Sequence, residues 1–194
     1  MKMTYILIGS ILTVGIIFFF NSCKNKSTSN EDLSKPKNIK TEENTFPSLR
    51  KMAFSVTPEE LGLSLPNDQT RVYGVIMDWE MGGATATTVS YITGDASLYL
   101  SSGGGVIGGG QHQNVNNAAK EFVKLSESYL SKTDKIGEPN LPNKNEVLFY
   151  LLTNKGLYKA TEKMENFENH SSDWISLFEG GNKVLTELRK VSDK

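Results

Sequence analysis

The residues best suited to chemistry lie in one glycine-rich stretch, Ser101 to His112, where two glycine triplets flank a Val-Ile pair. Glycine loses more backbone entropy on folding than any other residue, so such density is expected where the backbone closely approaches another element or a ligand. The candidate ligand or partner site comprises Ser101, Ser102, Gly103, Gly104, Gly105, Gly108, Gly109, Gly110 and His112, together with Asp78 from an upstream strand.

Nucleotide binding is the first chemistry to weigh for this loop. Gly103, Gly105 and Gly108 satisfy G-x-G-x-x-G after a strand-like run. A dinucleotide site also needs a helix that begins within the motif and an acid at the end of the next strand. Here Gly109, Gly110 and several polar residues separate the motif from the helix, and the next predicted strand ends in Leu152-Thr153-Asn154. No Lys-Ser/Thr pair follows, which excludes a Walker A loop. Three interpretations remain: a nest of backbone N–H groups that binds an anion, a partner-binding surface loop, and a structural crossing with Val106-Ile107 inserted in the core.

Other constellations around the loop are weaker. Ser101, Ser102, His112 and Asp95 have the residue types of a catalytic triad, but the G-x-S-x-G turn that exposes a nucleophile is absent. The two histidines of the chain are isolated and have no cysteine partners in the exported part, so no metal site is predicted. Asp78 and Glu80 share one face of a predicted strand and could bind a cation, although a strand end reaching solvent is the simpler interpretation.

The N-terminal segment predicts export. Met1-Lys2 is positive, residues 5–20 are almost entirely apolar, and Cys23 follows as the only cysteine. This apolar run is shorter than the ~20 residues that a spanning helix needs and is typical of a secretory signal peptide. Phe20-Asn21-Ser22-Cys23 resembles a lipobox, with less common residues at its first two positions. The resemblance implies cleavage after residue 22 and lipidation of Cys23, anchoring a bacterial lipoprotein to its membrane; an uncleaved membrane anchor is the alternative.

Residues 23–45 predict a disordered tether. Only Leu33 and Ile39 are large and apolar there, so the stretch cannot bury enough surface to fold. As a flexible coil it would span ~25 Å. Residues 46–194 then suffice for one domain with a sizeable core. That domain contains no cysteine, so its core alone must hold it together, and a net charge of −1 for the whole chain argues against nucleic-acid binding.

The elements that position the loop are predicted from periodicity. Alternation over 72–81 places Tyr73, Val75 and Met77 on one strand face, and a Thr57-Pro58-Glu59-Glu60 capping box predicts a short helix. Further strands are predicted at 87–93, 96–101, 146–153 and 157–161, and long helices at 114–131 and from Ser172 onward. This order predicts an α+β fold with a single, mostly antiparallel sheet of about five strands and two long helices. By fold-level analogy it is of the profilin or roadblock type.

Residues 95–112 also resemble the signature of a family of small bacterial proteins of unknown function. That signature reads Ser-Leu-Tyr-x-Ser-x-Gly-Gly-Gly-x-Ile-Gly-Gly-Gly-x-His. The similarity extends to 72–78 upstream and 149–153 downstream, and Gly94-Asp95 stands where the family tends to have Asp-Gly. The resemblance implies one unitary domain and brings no activity, cofactor or catalytic residue with it.

Two functional hypotheses follow from these patterns. The first is a membrane-tethered, non-catalytic lipoprotein whose domain binds a protein or another envelope component; an immunity-type protein against an exported toxin would be one form. The second is an enzyme or small-ligand binder that uses the glycine loop with Asp78 and His112. No cofactor is predicted under either hypothesis.

Overall fold

The structure, a computed structural model, describes residues 45–192, which belong to one compact unit. The predicted signal peptide (1–22), Cys23 and the predicted tether up to residue 44 lie outside the described residues. Four α-helices and seven strands follow one another in the described part: α1 Phe46–Ser55, β1 Val72–Glu80, β2 Thr85–Tyr91, β3 Ala96–Leu100, β4 Gly105–Val106, α2 Gln113–Glu127, β5 Asp134–Ile136, β6 Glu146–Thr153, β7 Gly156–Lys163, α3 Met164–Glu168 and α4 Ile175–Ser192.

The strands form one antiparallel sheet in the order β4-β3-β2-β1-β6-β7-β5, with β1 at its centre. This confirms the α+β class and the antiparallel sheet. The prediction of about five strands was wrong, because β4 and β5 add two edge strands of only two and three residues. Strands that short carry no period-2 pattern, so their pairing is visible only in three dimensions.

One face of the sheet is covered by α2 and α4. Val75, Met77 and Phe149 from the sheet meet Phe122 of α2 and Leu177 of α4, among other residues of this core. α4 runs unbroken through Gly180-Gly181. A Cβ at Gly181 would lie 2.5 Å from the Met77 sulfur. The glycine therefore lets α4 lie close to β1.

The opposite face of the sheet is covered by α1 and the connection that follows it. The buried side chains on this side include Tyr73, Ile76, Tyr91 and Tyr150. Tyr73 was predicted to share a face with Val75 and Met77; the register of β1 against β6 shifts between Val72 and Gly74, which turns Tyr73 to the α1 side. The sheet is therefore buried on both faces.

Local sequence rules explain where some of these elements begin, but not all of them. The Thr57 capping box forms, because Thr57 N–H donates to Glu60 Oε2 at 2.8 Å, yet the chain makes only a turn there. α1 was not predicted, although Pro47 in its first turn is a favourable start. Ser172 Oγ accepts the Trp174 N–H just before α4. Between residues 45 and 192, no helix has the length and apolar character needed to cross a membrane.

Candidate functional site

The glycine loop joins β3 to α2, and its glycines serve two different needs. A Cβ on Gly105 would lie 2.1 Å from the Leu98 carbonyl oxygen, and one on Gly110 would lie 2.8 Å from Asp95 Cα. A Cβ on Gly109 would lie 2.3 Å from Cδ2 of Leu188 in α4. These three positions are close crossings of packed chain. Gly104, by contrast, faces open space and has a φ of +83°, a conformation that favours glycine.

The backbone of the loop is held by hydrogen bonds within the fold. Gly103 N–H donates to the Leu100 carbonyl at 2.9 Å, and Gly108 N–H donates to Ser97 Oγ at 3.3 Å. The Asn116 amide of α2 donates to the Gly110 carbonyl at 3.2 Å. The Gly103 and Gly108 N–H groups are therefore engaged within the fold and do not contribute to an anion-binding nest.

The Val-Ile pair of the loop is not inserted as a unit. Val106 is half-buried and packs against the helix-facing core, but Ile107 is 63% exposed. The interpretation that placed both residues in the core was wrong for Ile107. Neighbouring residues of an extended strand point to opposite faces, so only one of the pair can face α4.

The residues with triad-like chemistry are not assembled. Ser101 Oγ accepts the Thr85 N–H at 2.7 Å, which fastens the end of β3 to β2. Asp95 accepts a hydrogen bond from Thr93 in its own turn. His112 is exposed and occupies the N-cap position of α2, which begins one residue before the predicted start at 114. Among the described residues, Ser101, Ser102, His112 and Asp95 form no hydrogen bonds with one another.

Asp78 is enclosed within the fold and is not joined to the loop. Arg50 donates to Asp78 Oδ2 from Nε at 3.0 Å and from Nη2 at 2.6 Å, and the Thr87 hydroxyl donates to Oδ1 at 2.5 Å. Asp78 has no solvent exposure. Burial raises the pKa of this carboxyl group, while the Arg50 and Thr87 contacts oppose that rise.

Arg50 is the residue of this cluster that sequence reasoning missed. Its Nη2 also donates to the Asn140 carbonyl at 2.7 Å, and its guanidinium lies 4.7 Å from the Phe54 ring centroid. The Tyr150 hydroxyl donates to the same carbonyl, and burial raises its pKa to about 12. The one available clue was a lone arginine in a segment with aromatic residues four positions before and after it. This cluster is a buried joint between α1 and the sheet.

Glu80, the second carboxylate considered for a cation, is occupied by backbone donors. Gly83 N–H donates to its Oε1 at 2.5 Å and Asn145 N–H donates to its Oε2 at 2.8 Å. These two bonds hold the pKa of Glu80 below its ordinary value. Within residues 45–192, no three His, Cys, Asp or Glu side chains are placed to hold a metal ion. Cys23 lies outside the described residues.

An apolar groove of about 310 Å³ runs beside β4, where the sheet edge meets the end of α4. Leu98, Val106 and Leu185 line it together with Met81, and Arg189 stands at its rim. Arg189 forms no ion pair with another described residue. Val106 links this groove to the glycine loop. The strand β4, the groove on its helix side and the exposed Ile107 on its other side are together called the β4 edge.

Comparisons with protein-family profiles, curated proteins and solved structures give no significant match to this chain. The analogy with profilin and roadblock domains therefore stays a prediction.

Proposed function

We propose that this protein is a membrane-tethered, non-catalytic lipoprotein whose α+β domain binds a protein or another envelope component through the β4 edge. The lipobox-like Phe20–Cys23 and the polar stretch after it support the tether. The observation that carries the binding role is the 63% exposure of Ile107 on a loop whose neighbours are fixed by close packing.

A single exposed isoleucine is ordinary on a protein surface, so its surroundings decide the argument. Its neighbour Val106 lines an apolar groove on the helix side of the sheet edge, and Ile107 is exposed on the other side of the same edge. Apolar side chains therefore flank this edge on both sides, which favours association with another macromolecule. The polar groups considered for catalysis instead have partners inside the fold: Asp78 binds Arg50, Glu80 accepts two backbone N–H groups, and Ser101 accepts one. These contacts favour a binding role over a catalytic one.

The tether is tested by Cys23→Ser. The variant is expected to leave the membrane fraction, since several acyl chains would be lost at ~0.8 kcal/mol per buried methylene. Unchanged fractionation would contradict lipidation at this residue.

The binding role is tested by a photo-crosslinking amino acid at position 107 in the full chain in its own membrane. The matched control places it at Asp68, an exposed position in the connection before β1. Adducts with an envelope component are expected from position 107 alone. Equal adducts from both positions, or none from either, would contradict binding through the β4 edge.

A further inference from the structure

We propose that β4 accepts an extended segment of a partner protein as an additional strand, and that this segment places one apolar side chain in the groove and a carboxylate against Arg189. The inference rests on the proposed function and names the chemistry of its partner. It is carried by the hydrogen-bond register of β4, by the groove beside it and by the difference between the two edges of the sheet.

The register shows which backbone groups of β4 and of the adjoining Ile107 are free. Leu98 pairs with Val106 and Tyr99 pairs with Gly105, while Leu100 N–H donates to the Gly104 carbonyl at 3.1 Å. In antiparallel pairs, hydrogen-bonded and non-hydrogen-bonded positions alternate. Val106 therefore bonds to β3. The N–H and C=O groups of Gly105 and Ile107 point away from the sheet, two residues apart, which is the spacing that an added strand engages.

The same register determines where the partner's side chain goes. Val106 and its pair Leu98 both point to the helix side and line the groove. Directly opposed residues of neighbouring strands point to the same face. A partner residue opposite Val106 would therefore project into the groove, toward Leu185 of α4.

The chemistry of the groove selects the partner's residues. Its lining is mainly apolar, and its volume of about 310 Å³ suits one large aliphatic or aromatic side chain. Arg189 at the rim is exposed and has no ion-pair partner among the described residues. A carboxylate near the inserted side chain would pair with it.

The two edges of the sheet differ in the way that this proposal requires. β5, at the far edge, carries Asp134 and Lys135, both exposed, and charged residues on an edge discourage strand pairing. The stretch from Ser101 to Gln111 around β4 contains no charged residue. β4 is thus the uncharged edge, with free donors and acceptors and an apolar groove beneath it.

The experiment uses the full chain in its membrane, with a photo-crosslinking residue at Met81, which lines the groove and is 49% exposed. Adducts with a protein segment that contains a large apolar residue and an acidic residue two positions away, on the same face of the strand, are expected. Ile107→Pro removes an outward N–H and should lower the adduct yield about tenfold. The matched control, Ile107→Val, keeps the N–H and should retain the yield. Arg189→Glu should lower it several-fold without touching the backbone of β4.

The outcomes separate this inference from the proposed function. Equal yields from Ile107→Pro and Ile107→Val, with both variants folded by thermal melting, would overturn strand addition while leaving protein binding intact. If Ile107→Pro fails to fold, an unchanged yield in Arg189→Glu overturns the proposal instead. Adducts with lipid alone at Met81 would also overturn it. Absence of adducts at both Met81 and position 107 would overturn the proposed function itself.

Discussion

Arg50 of α1 and Asp78 of β1 form a buried ion pair, with Nη2 2.6 Å from Oδ2 and Asp78 fully enclosed. The pair joins the first helix of the domain to the central strand of its sheet. Removal of one partner from a buried pair leaves an uncompensated charge, whereas removal of both leaves none.

Asp78→Asn is expected to destabilise the protein by about 3–5 kcal/mol, because Arg50 would keep a buried charge without its counter-ion. Arg50→Met should act similarly. The double variant Arg50→Met with Asp78→Asn should cost less than the two single changes together. Urea unfolding of the detergent-solubilised protein measures all three. Additive losses in the double variant would show that the two side chains contribute independently.

Glu162 is expected to make the stability of the protein depend on pH in the acid range. Partial burial would raise its pKa, but hydrogen bonds from Ser172, Asn166 and the Lys163 N–H outweigh burial and leave the pKa below its ordinary value. The pKa of Glu162 is lower in the folded state than in the unfolded state. Its contribution to the free energy of unfolding is therefore present above pH 4.5 and is lost as the pH falls through the folded-state pKa.

Glu162→Gln should therefore lower the melting temperature at pH 7. The difference in melting temperature between the variant and the unmodified protein should become smaller as the pH falls below about 4.5. A melting series between pH 7 and pH 3 measures this. A difference that stays constant over the series would exclude the carboxylate as its source.

The glycines of the loop should differ in their tolerance of alanine. Gly105→Ala should be the most damaging, since its Cβ would meet the Leu98 carbonyl oxygen at a positive φ of 148°. Gly104→Ala meets only the backbone strain of its positive φ, which costs about 1–3 kcal/mol. Melting temperatures of the two variants, with Gly62→Ala as a control of similar φ and open space, test the order. Equal losses at Gly104 and Gly105 would contradict the close crossing at β4.

Thr88 offers a stabilising change. Its hydroxyl and that of Ser90 are fully buried and have no hydrogen-bond partner among the described residues. Thr88 lies between Met77 and Leu98 in the sheet, on the face covered by α2 and α4. Thr88→Val keeps the shape and removes the unsatisfied group, so it should raise the free energy of unfolding by about 1 kcal/mol. A lower value by urea unfolding would show that the hydroxyl has a partner.

Periodicity in the sequence predicted the parts of the fold that are long enough to show it. β1 alternates in sequence, β6 is a continuous apolar run, and α2 repeats its buried residues at helical spacing. The two-residue β4 has no such pattern, and its pairing depends on where β3 ends. α1 was missed because it is short and its helical stripe is interrupted by Arg50 and Lys51.

The glycines of the sequence predicted where the candidate site lies, but they did not predict its geometry. The density of glycine predicted close backbone approach, and Gly105, Gly109 and Gly110 show it. The direction of Ile107 depends on the pairing of β4 with β3, which no local pattern encodes. The partner of Asp78 was equally invisible, because Arg50 lies 28 residues earlier in the chain.

The placement of the Arg50–Asp78 pair has a mechanical consequence. The described chain enters the fold through α1, and α1 is fastened to β1, which has three strands on either side of it in the sheet. The Tyr91 hydroxyl adds a second fastening, to the Ala53 carbonyl at 2.7 Å. A pull on the start of α1 is therefore delivered to the middle of the sheet, where neighbouring strands on both sides share the load and no edge strand is peeled away first.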